Sequence, residues 1–209
     1  MGTTGSADLI RAFNAVAASM EENRDHLCAL DGVIGDADHG VAMELGFSAV
    51  RKALAELGDD ASPTDVFNTA ARAFLNAVGA SSGPLYATAF MRAGAALKGK
   101  SGMDDTDAPE VIAAMAGGIA HRGKASPGDK TMLDAWTPAA EAATAAQGQA
   151  AAAVFAAAAK AAADGAETTK GMQAKMGRAA RLGERAVGHV DPGAASAALV
   201  IAAFAGALA

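Results

Sequence analysis

Aromatic side chains, cysteine and strand-forming runs are all scarce in this chain, and each shortage excludes something. Aromatics make up 4 % of the residues although 52 % are hydrophobic. Most of the apolar content is alanine. Alanine adds little burial per residue, so the core must rely on many closely approaching helices rather than on a few large anchors. The one cysteine, Cys28, excludes an internal disulfide and fits a reducing compartment. No alternating β-branched run is present, which argues against a sheet. No Lys/Arg stripe is present, which argues against nucleic acid as a partner. The chain shows no charged start followed by an apolar signal core. The apolar stretch Ala150–Ala163 is interrupted by Lys160 and is too short to span a bilayer. The tail after Asp191 carries no charge and reads as a buried helix rather than an anchor. The expectation is a cytoplasmic, soluble protein that engages neither membrane nor nucleic acid.

What is present points to helices. The chain has 209 residues and a formal net charge of -6, and reads as one domain over 1–209. The fold class is all-α, with about eight helices. The first is expected over Asp8–Leu27. The segment Leu30–Gly40, with three glycines and three aspartates, is expected to be irregular. A second helix runs from His39 to Leu57, before Gly58. Ser62-Pro63-Thr64-Asp65 marks the next start, with Ser62 as cap and Pro63 as first helical residue. That helix stops at Gly79. Ser82-Gly83-Pro84 opens another, which lasts to Leu97. Lys98–Thr106 is a polar loop. Asp107-Ala108-Pro109-Glu110 starts a helix ending near His121. A loop over Arg122–Lys130 leads to a helix over Thr131–Ala146. An alanine-rich helix follows Gly148 and reaches Thr168. Gly171–Val190 has no clear period, and Asp191-Pro192 caps the last helix.

Four constellations could carry chemistry. In Leu30–Gly40, Asp31, Asp36 and Asp38 lie within eight residues, separated by glycines. Three hard oxygen ligands at one point suit Mg²⁺. The spacing does not match a calcium-binding EF-hand loop. The same residues also suit a solvated turn in which Asp38 caps the next helix. Gly79-Ala80-Ser81-Ser82-Gly83-Pro84 places hydroxyls at a helix N-terminus. That is an anion site through free N–H groups and the helix dipole, or an ordinary capped turn. Gly123–Met132 is a loop with two lysines, Lys124 and Lys130. Gly177–Gly193 offers Arg178, Arg181 and Arg185 and a further helix start. Arginine's planar fork suits phosphate, although a basic solvated loop has the same composition. Taken together, acids would hold metal, metal would hold phosphates, and helix starts with an arginine would hold the remaining oxygens. No Walker loop is present, and no strand precedes a glycine-rich turn, which excludes P-loop and dinucleotide-binding folds.

Five ordered blocks resemble the nucleotide-binding L subunit of dihydroxyacetone kinase. They are Gly35–Gly40, Gly83-Pro84-Leu85, Gly123-Lys124-Ala125 with Pro127–Met132, Gly183-Glu184-Arg185, and Gly188-His189 with Asp191–Ala194. The resemblance implies a closed antiparallel barrel of eight amphipathic helices with the nucleotide, ADP or ATP, at one end. It implies that Asp31, Asp36 and Asp38 ligate two Mg²⁺ ions. Together with His39, these are the expected catalytic residues. It places His39, Gly40, Val41, Ser81, Ser82 and Arg178 near the phosphates. It places Gly123 and Met132 by the adenine, with Asp191, Pro192 and Gly193 closing the site. Ala42 stands where relatives often carry Asn or Thr, so only its backbone would contribute. The resemblance further implies a phosphotransferase that works only with a separate K subunit holding dihydroxyacetone. The Asp-Ala-Asp-His form of the loop looks like the type recharged by a phosphotransferase-system phosphoprotein. Alternatives are an ATP-exchanging kinase subunit for dihydroxyacetone or a related ketose such as erythrulose, a nucleotide-dependent module that binds a transcription regulator, a self-associating form, and a lipid-handling helical barrel.

Overall fold

The computed structural model describes residues 3–79 and 81–209. Met1, Gly2 and Ala80, the last within the Gly79–Pro84 turn, lie outside the described residues. The described residues form nine α-helices: α1 (Ser6–Glu22), α2 (Arg24–Ile34), α3 (His39–Leu54), α4 (Pro63–Ala77), α5 (Ser82–Ala96), α6 (Ala108–Gly123), α7 (Leu133–Ala145), α8 (Ala151–Thr168) and α9 (Pro192–Ala207). Two 3₁₀ segments, Thr169–Gly171 and Ala179–Ala186, occupy the stretch without a clear period. A two-residue antiparallel pair, β1 (Thr3–Thr4) with β2 (Met103–Asp104), corrects the expectation of no strand.

From α3 to α9 each helix packs on the next, and α9 and α3 both pack on α1. Helix α2 lies outside this sequence, against α3. The helices α3, α5, α7 and α9 begin at a common end, where His39, Ser82, Leu133 and Pro192 line one cavity. The few aromatics sit where the helices converge. Phe13 of α1 meets the rings of Phe67, Phe90 and Phe204 edge-on at 5.6, 5.2 and 5.1 Å. Alanine and glycine let the outer helices approach closely. A Cβ at Gly165 of α8 would overlap the Asp134 carbonyl oxygen of α7. Among the described residues the interior cavity beside Phe67, Trp136, Phe155 and Phe204 holds only about 10 Å³. That is barely the volume of one water, so this part of the interior is closely packed.

The Ser62 and Asp191 caps form as the sequence predicts. Ser62 Oγ accepts from Asp65 N at 3.2 Å, and Asp191 Oδ2 accepts from Ala194 N at 2.8 Å. Three local expectations change. The first helical stretch breaks at Asn23, and a separate α2 continues through Asp31 and Gly32 to Ile34. Burial of Leu27, Asp31 and Ile34 along one side outweighs the helix cost of one glycine, about 1 kcal/mol. Ser82 is the first residue of α5 rather than its cap. Asp107 precedes α6 but does not cap it through its side chain, which instead binds Lys100 Nζ at 2.5 Å and Asp104 N at 3.0 Å.

Candidate active site

The carboxylate cluster is assembled from a helix end and a turn. Asp31 is buried in the last turns of α2. Its Oδ2 accepts from Asp38 N at 3.0 Å and His39 N at 3.3 Å. Asp31 therefore serves the free N–H groups at the start of α3, and the Asp38 side chain makes no capping bond. Asp36 and Asp38 are left exposed, with their carboxylates free of helix capping. Between them Ala37 takes a left-handed conformation, φ 63°. A non-glycine residue there costs about 1–3 kcal/mol and marks a turn held by its surroundings. Oxygens of Asp31, Asp36 and Asp38 all lie within 4.8 Å of one another. Opposite ligands on one octahedral Mg²⁺ are about 4.2 Å apart, so small rotations bring this set onto one or two such ions. The donors are hard oxygens, and the set fits the metal.

The cluster borders a cavity of about 700 Å³. That size suits a nucleotide-like ligand. Ten of the other sequence-predicted residues line it: His39, Ala42, Ser81, Ser82, Gly123, Met132, Arg178, Asp191, Pro192 and Gly193. Gly40 and Val41 do not. Gly40 is buried against α2, and Val41 is 52 % exposed on the outer surface of α3. The starts of α3, α5, α7 and α9 all face this space through His39, Ser82, Leu133 and Pro192. Four positive dipole ends converge there, which favours a polyanion despite the overall negative charge. Leu85, Ile119, Leu133 and Met176 supply an apolar wall suited to a planar base.

The sequence reading did not single out Ser196, Thr169 or Asp134, each of which holds a residue that it did name. Arg178 forms an ion pair with Asp36, so the arginine expected near phosphate already leans over the carboxylates. His39 Nε2 lies 2.9 Å from Ser196 Oγ, which itself donates to Gly193 O at 3.0 Å. Burial lowers the His39 pKa, against the nearby Asp31 charge and a hydrogen bond to the Pro192 backbone. Lys130 is buried, with its Nζ donating to Thr169 O at 2.7 Å and His189 O at 2.5 Å. Thr169 Oγ1 accepts from Asp191 N at 2.9 Å. This polar knot ties the ends of α8 and the 171–190 stretch to the start of α9. Asp134 braces the loop before α7, accepting from Gly128 N at 2.5 Å and Thr131 N at 2.8 Å. None of these partners is near in sequence to the group it serves, save Asp134, and a side chain three residues past a loop was the one signal available.

Burial pushes the Asp191 carboxyl up to about 7, opposed in part by the Ala194 N–H and the Lys130 charge. The ordinary value is about 3.9, so the folded chain holds this proton more tightly than the unfolded one. Its contribution to stability is therefore greatest at low pH and is lost as pH rises through about 7. The slope reaches about 1.4 kcal/mol per pH unit. Asp191→Asn keeps an oxygen for the cap and removes the titration. Denaturant melts between pH 5 and 8 should show wild type losing stability relative to this variant. Parallel curves would show that Asp191 does not hold its proton.

The fold is a predominantly helical domain with a carboxylate cluster beside a cavity ringed by helix starts. The chain belongs to the DAK2 domain family, whose model matches residues 33–206. It is 40 % identical over 195 residues to the ADP-binding subunit DhaL of PEP-dependent dihydroxyacetone kinase 1 from Listeria innocua, covering 93 % of each chain. It is 39 % identical over 174 residues to the corresponding subunit of Escherichia coli, covering 82 % of each. Among solved structures it resembles the dihydroxyacetone kinase of C. freundii in complex with AMP-PNP and Mg²⁺ (TM-score 0.73, 27 % identity). That match takes in 99 % of this chain but 35 % of the larger kinase. A D-erythrulose kinase from Mycolicibacterium smegmatis is 38 % identical over 147 residues, 24 % of its length.

Proposed function

We propose that this protein is the nucleotide-holding subunit of a dihydroxyacetone kinase. The observation that carries the reading is the convergence of Asp31, Asp36 and Asp38 at the mouth of a 700 Å³ cavity onto which four helices open. The cyclic packing order fits a closed antiparallel barrel of eight helices, with α2 outside it and the nucleotide at one end. Asp31, Asp36 and Asp38 would hold two Mg²⁺ ions, and these would neutralise the phosphates when bound. Ser81, Ser82 and the helix starts take the remaining phosphate oxygens. His39, fixed by Ser196, donates or accepts at a set position beside them, and Gly40 and Val41 contribute through the backbone of the same turn. Gly123 and Met132 flank the base, while Asp191, Pro192 and Gly193 close the far wall. Arg178, exposed and paired with Asp36 beside the cavity, would serve the transferring phosphoryl group. Phosphoryl transfer needs chiefly such positioning and charge neutralisation.

The ketose sits on a separate K subunit. The names of the 40 % identical relatives, each a subunit of a dihydroxyacetone kinase, support this. The PEP-dependent names of the 40 % identical relatives support recharging of bound ADP by a phosphotransferase-system phosphoprotein in the cytoplasm. An ATP-exchanging subunit acting on dihydroxyacetone or an erythrulose is the second reading, supported by the kinases matched over part of their length. Regulator binding and self-association have no separate support in the fold.

Mass spectrometry of the untreated protein should find ADP that survives dialysis with Mg²⁺ and leaves with a chelator. Reconstitution with a K subunit and dihydroxyacetone should then give turnover with a charged phosphoprotein, and little with free ATP. Turnover with ATP alone would favour the second reading. Failure to bind any nucleotide would overturn both.

A further inference from the structure

The 170–187 stretch, beyond what it gives the cavity, is strongly basic. It carries Lys170, Lys175, Arg178, Arg181 and Arg185 against one acid, Glu184, in a chain whose formal net charge is -6. Lys170 pairs with Glu167, Lys175 with Asp129 at 3.2 Å, and Arg178 with Asp36. Arg181 and Arg185 are exposed and have no ion partner among the described residues. Their segment is held in place from its other side, where Leu182, Ala179 and Ala186 pack with Ile34 of α2. Arg178 and Ala179, at the start of the same segment, line the cavity. Gly183, with φ 58°, turns the backbone between Arg181 and Arg185, so the arginines follow the segment away from the cavity mouth without sharing one helical face. Exposed apolar side chains flank them: Met176 at 38 %, Val187 at 43 %, and Val33 of α2 at 51 %. Arginine and methionine beside apolar groups are the composition of protein interfaces rather than of solvated turns.

We infer that this collar is the docking surface for the phosphoryl-donor protein, recognised through acidic side chains around its phosphorylated residue. The inference rests on the donor reading above and names the surface that serves it. Charge chooses between the two partners. A ketose-loaded subunit brings an uncharged substrate to the mouth. A phosphoprotein brings a group of roughly -1.5 to -2 charge, which a row of unpaired arginines attracts. On docking, the phosphoryl group leaves the donor side chain, which keeps the bonding pair, and joins the terminal oxygen of the bound diphosphate. Arg181 and Arg185 touch no reacting atom. They raise the encounter rate, an effect screened beyond about 8–10 Å at physiological salt.

The test uses the full chain carrying Arg181→Glu and Arg185→Glu, with Arg181→Gln and Arg185→Gln as a second variant should the reversal unfold. A phosphotransferase-system phosphoprotein is charged from ³²P-labelled phosphoenolpyruvate, and the rate of label transfer to bound ADP is read from low to high salt. Wild type should be fast at low salt and fall steeply as salt rises. The reversal should be at least about 10-fold slower at low salt and nearly flat. Bound ADP and single-turnover transfer from the loaded protein to the ketose-bearing subunit should be unchanged. A wild-type rate and salt slope in both variants would overturn the docking surface. So would equal losses in recharging and in transfer to the ketose. A wild-type protein that turns over with ATP but accepts no label at any salt would instead sink the donor reading, and the collar's occupant with it.

Discussion

Asp36→Ala and Asp38→Ala should each lower phosphoryl transfer by about 10²–10³-fold or more, the scale on which preformed charge stabilisation is lost, and release the nucleotide. Neither side chain supports the fold, since Asp36 pairs only with exposed Arg178 and Asp38 makes no capping bond. Both variants should therefore melt near the wild-type temperature while ADP no longer copurifies. Asp31 behaves differently because its carboxylate also receives Asp38 N and His39 N. Asp31→Ala leaves those buried donors without a partner, at about 1–3 kcal/mol. Asp31→Asn keeps an acceptor oxygen and should recover most of that stability without recovering nucleotide. The pattern separates a metal ligand from a structural cap. Retention of stoichiometric ADP in the Asp36 and Asp38 variants would end the metal assignment.

Gly40→Ala should disable the same centre by adding one methyl group rather than removing a ligand. Gly40 lies in the first turn of α3, pressed on α2. A Cβ there would overlap the Arg24 carbonyl oxygen and come within 2.9 Å of Cys28 Sγ. Backbone cannot yield as a flexible side chain can, so the two helices must part. Helix α2 carries Asp31, and the start of α3 carries Asp38 and His39. Their separation spreads the carboxylates. Overpacking of this kind costs about 1–3 kcal/mol, with each kcal/mol worth some 2–4 °C in a domain of this size. Mg²⁺-dependent ADP affinity should fall by about 10-fold, that is, about 1.4 kcal/mol. Gly117→Ala is the control, because nothing lies within 4 Å of a Cβ in that helix. It should stabilise by roughly 0.5–1 kcal/mol and leave binding unchanged. Normal ADP affinity in Gly40→Ala would show that the spacing of α2 and α3 does not set the centre.

How much was legible depended on whether the deciding partner was near in the chain. Ser62 with Asp65, and Asp191 with Ala194, are contacts over three residues, and both caps could be read directly. The carboxylate-rich turn was conspicuous because Asp and Gly cluster there, and the five ordered blocks pointed to the family later matched over residues 33–206. Asp31 was grouped with Asp36 and Asp38, yet its helical setting was missed, because glycine's propensity was weighed without the burial of Leu27 and Ile34. Ser196 stood among alanines with nothing to mark it, and it meets His39 across 157 positions. Lys130 looked like one of two loop lysines. Only the carbonyls of Thr169 and His189 make it a buried brace.

The order of amino acids by itself determined an all-helical chain, the places where several helices begin, and the residue types able to bind a cation and phosphate. Those are matters of local backbone preference and side-chain chemistry. Tertiary structure alone decided that four helix starts share one cavity, that Asp31 caps its neighbour and so frees Asp36 and Asp38, and that Arg178 leans over them. Such outcomes depend on distances between segments far apart in the chain, and close packing of alanine-rich helices sets those distances.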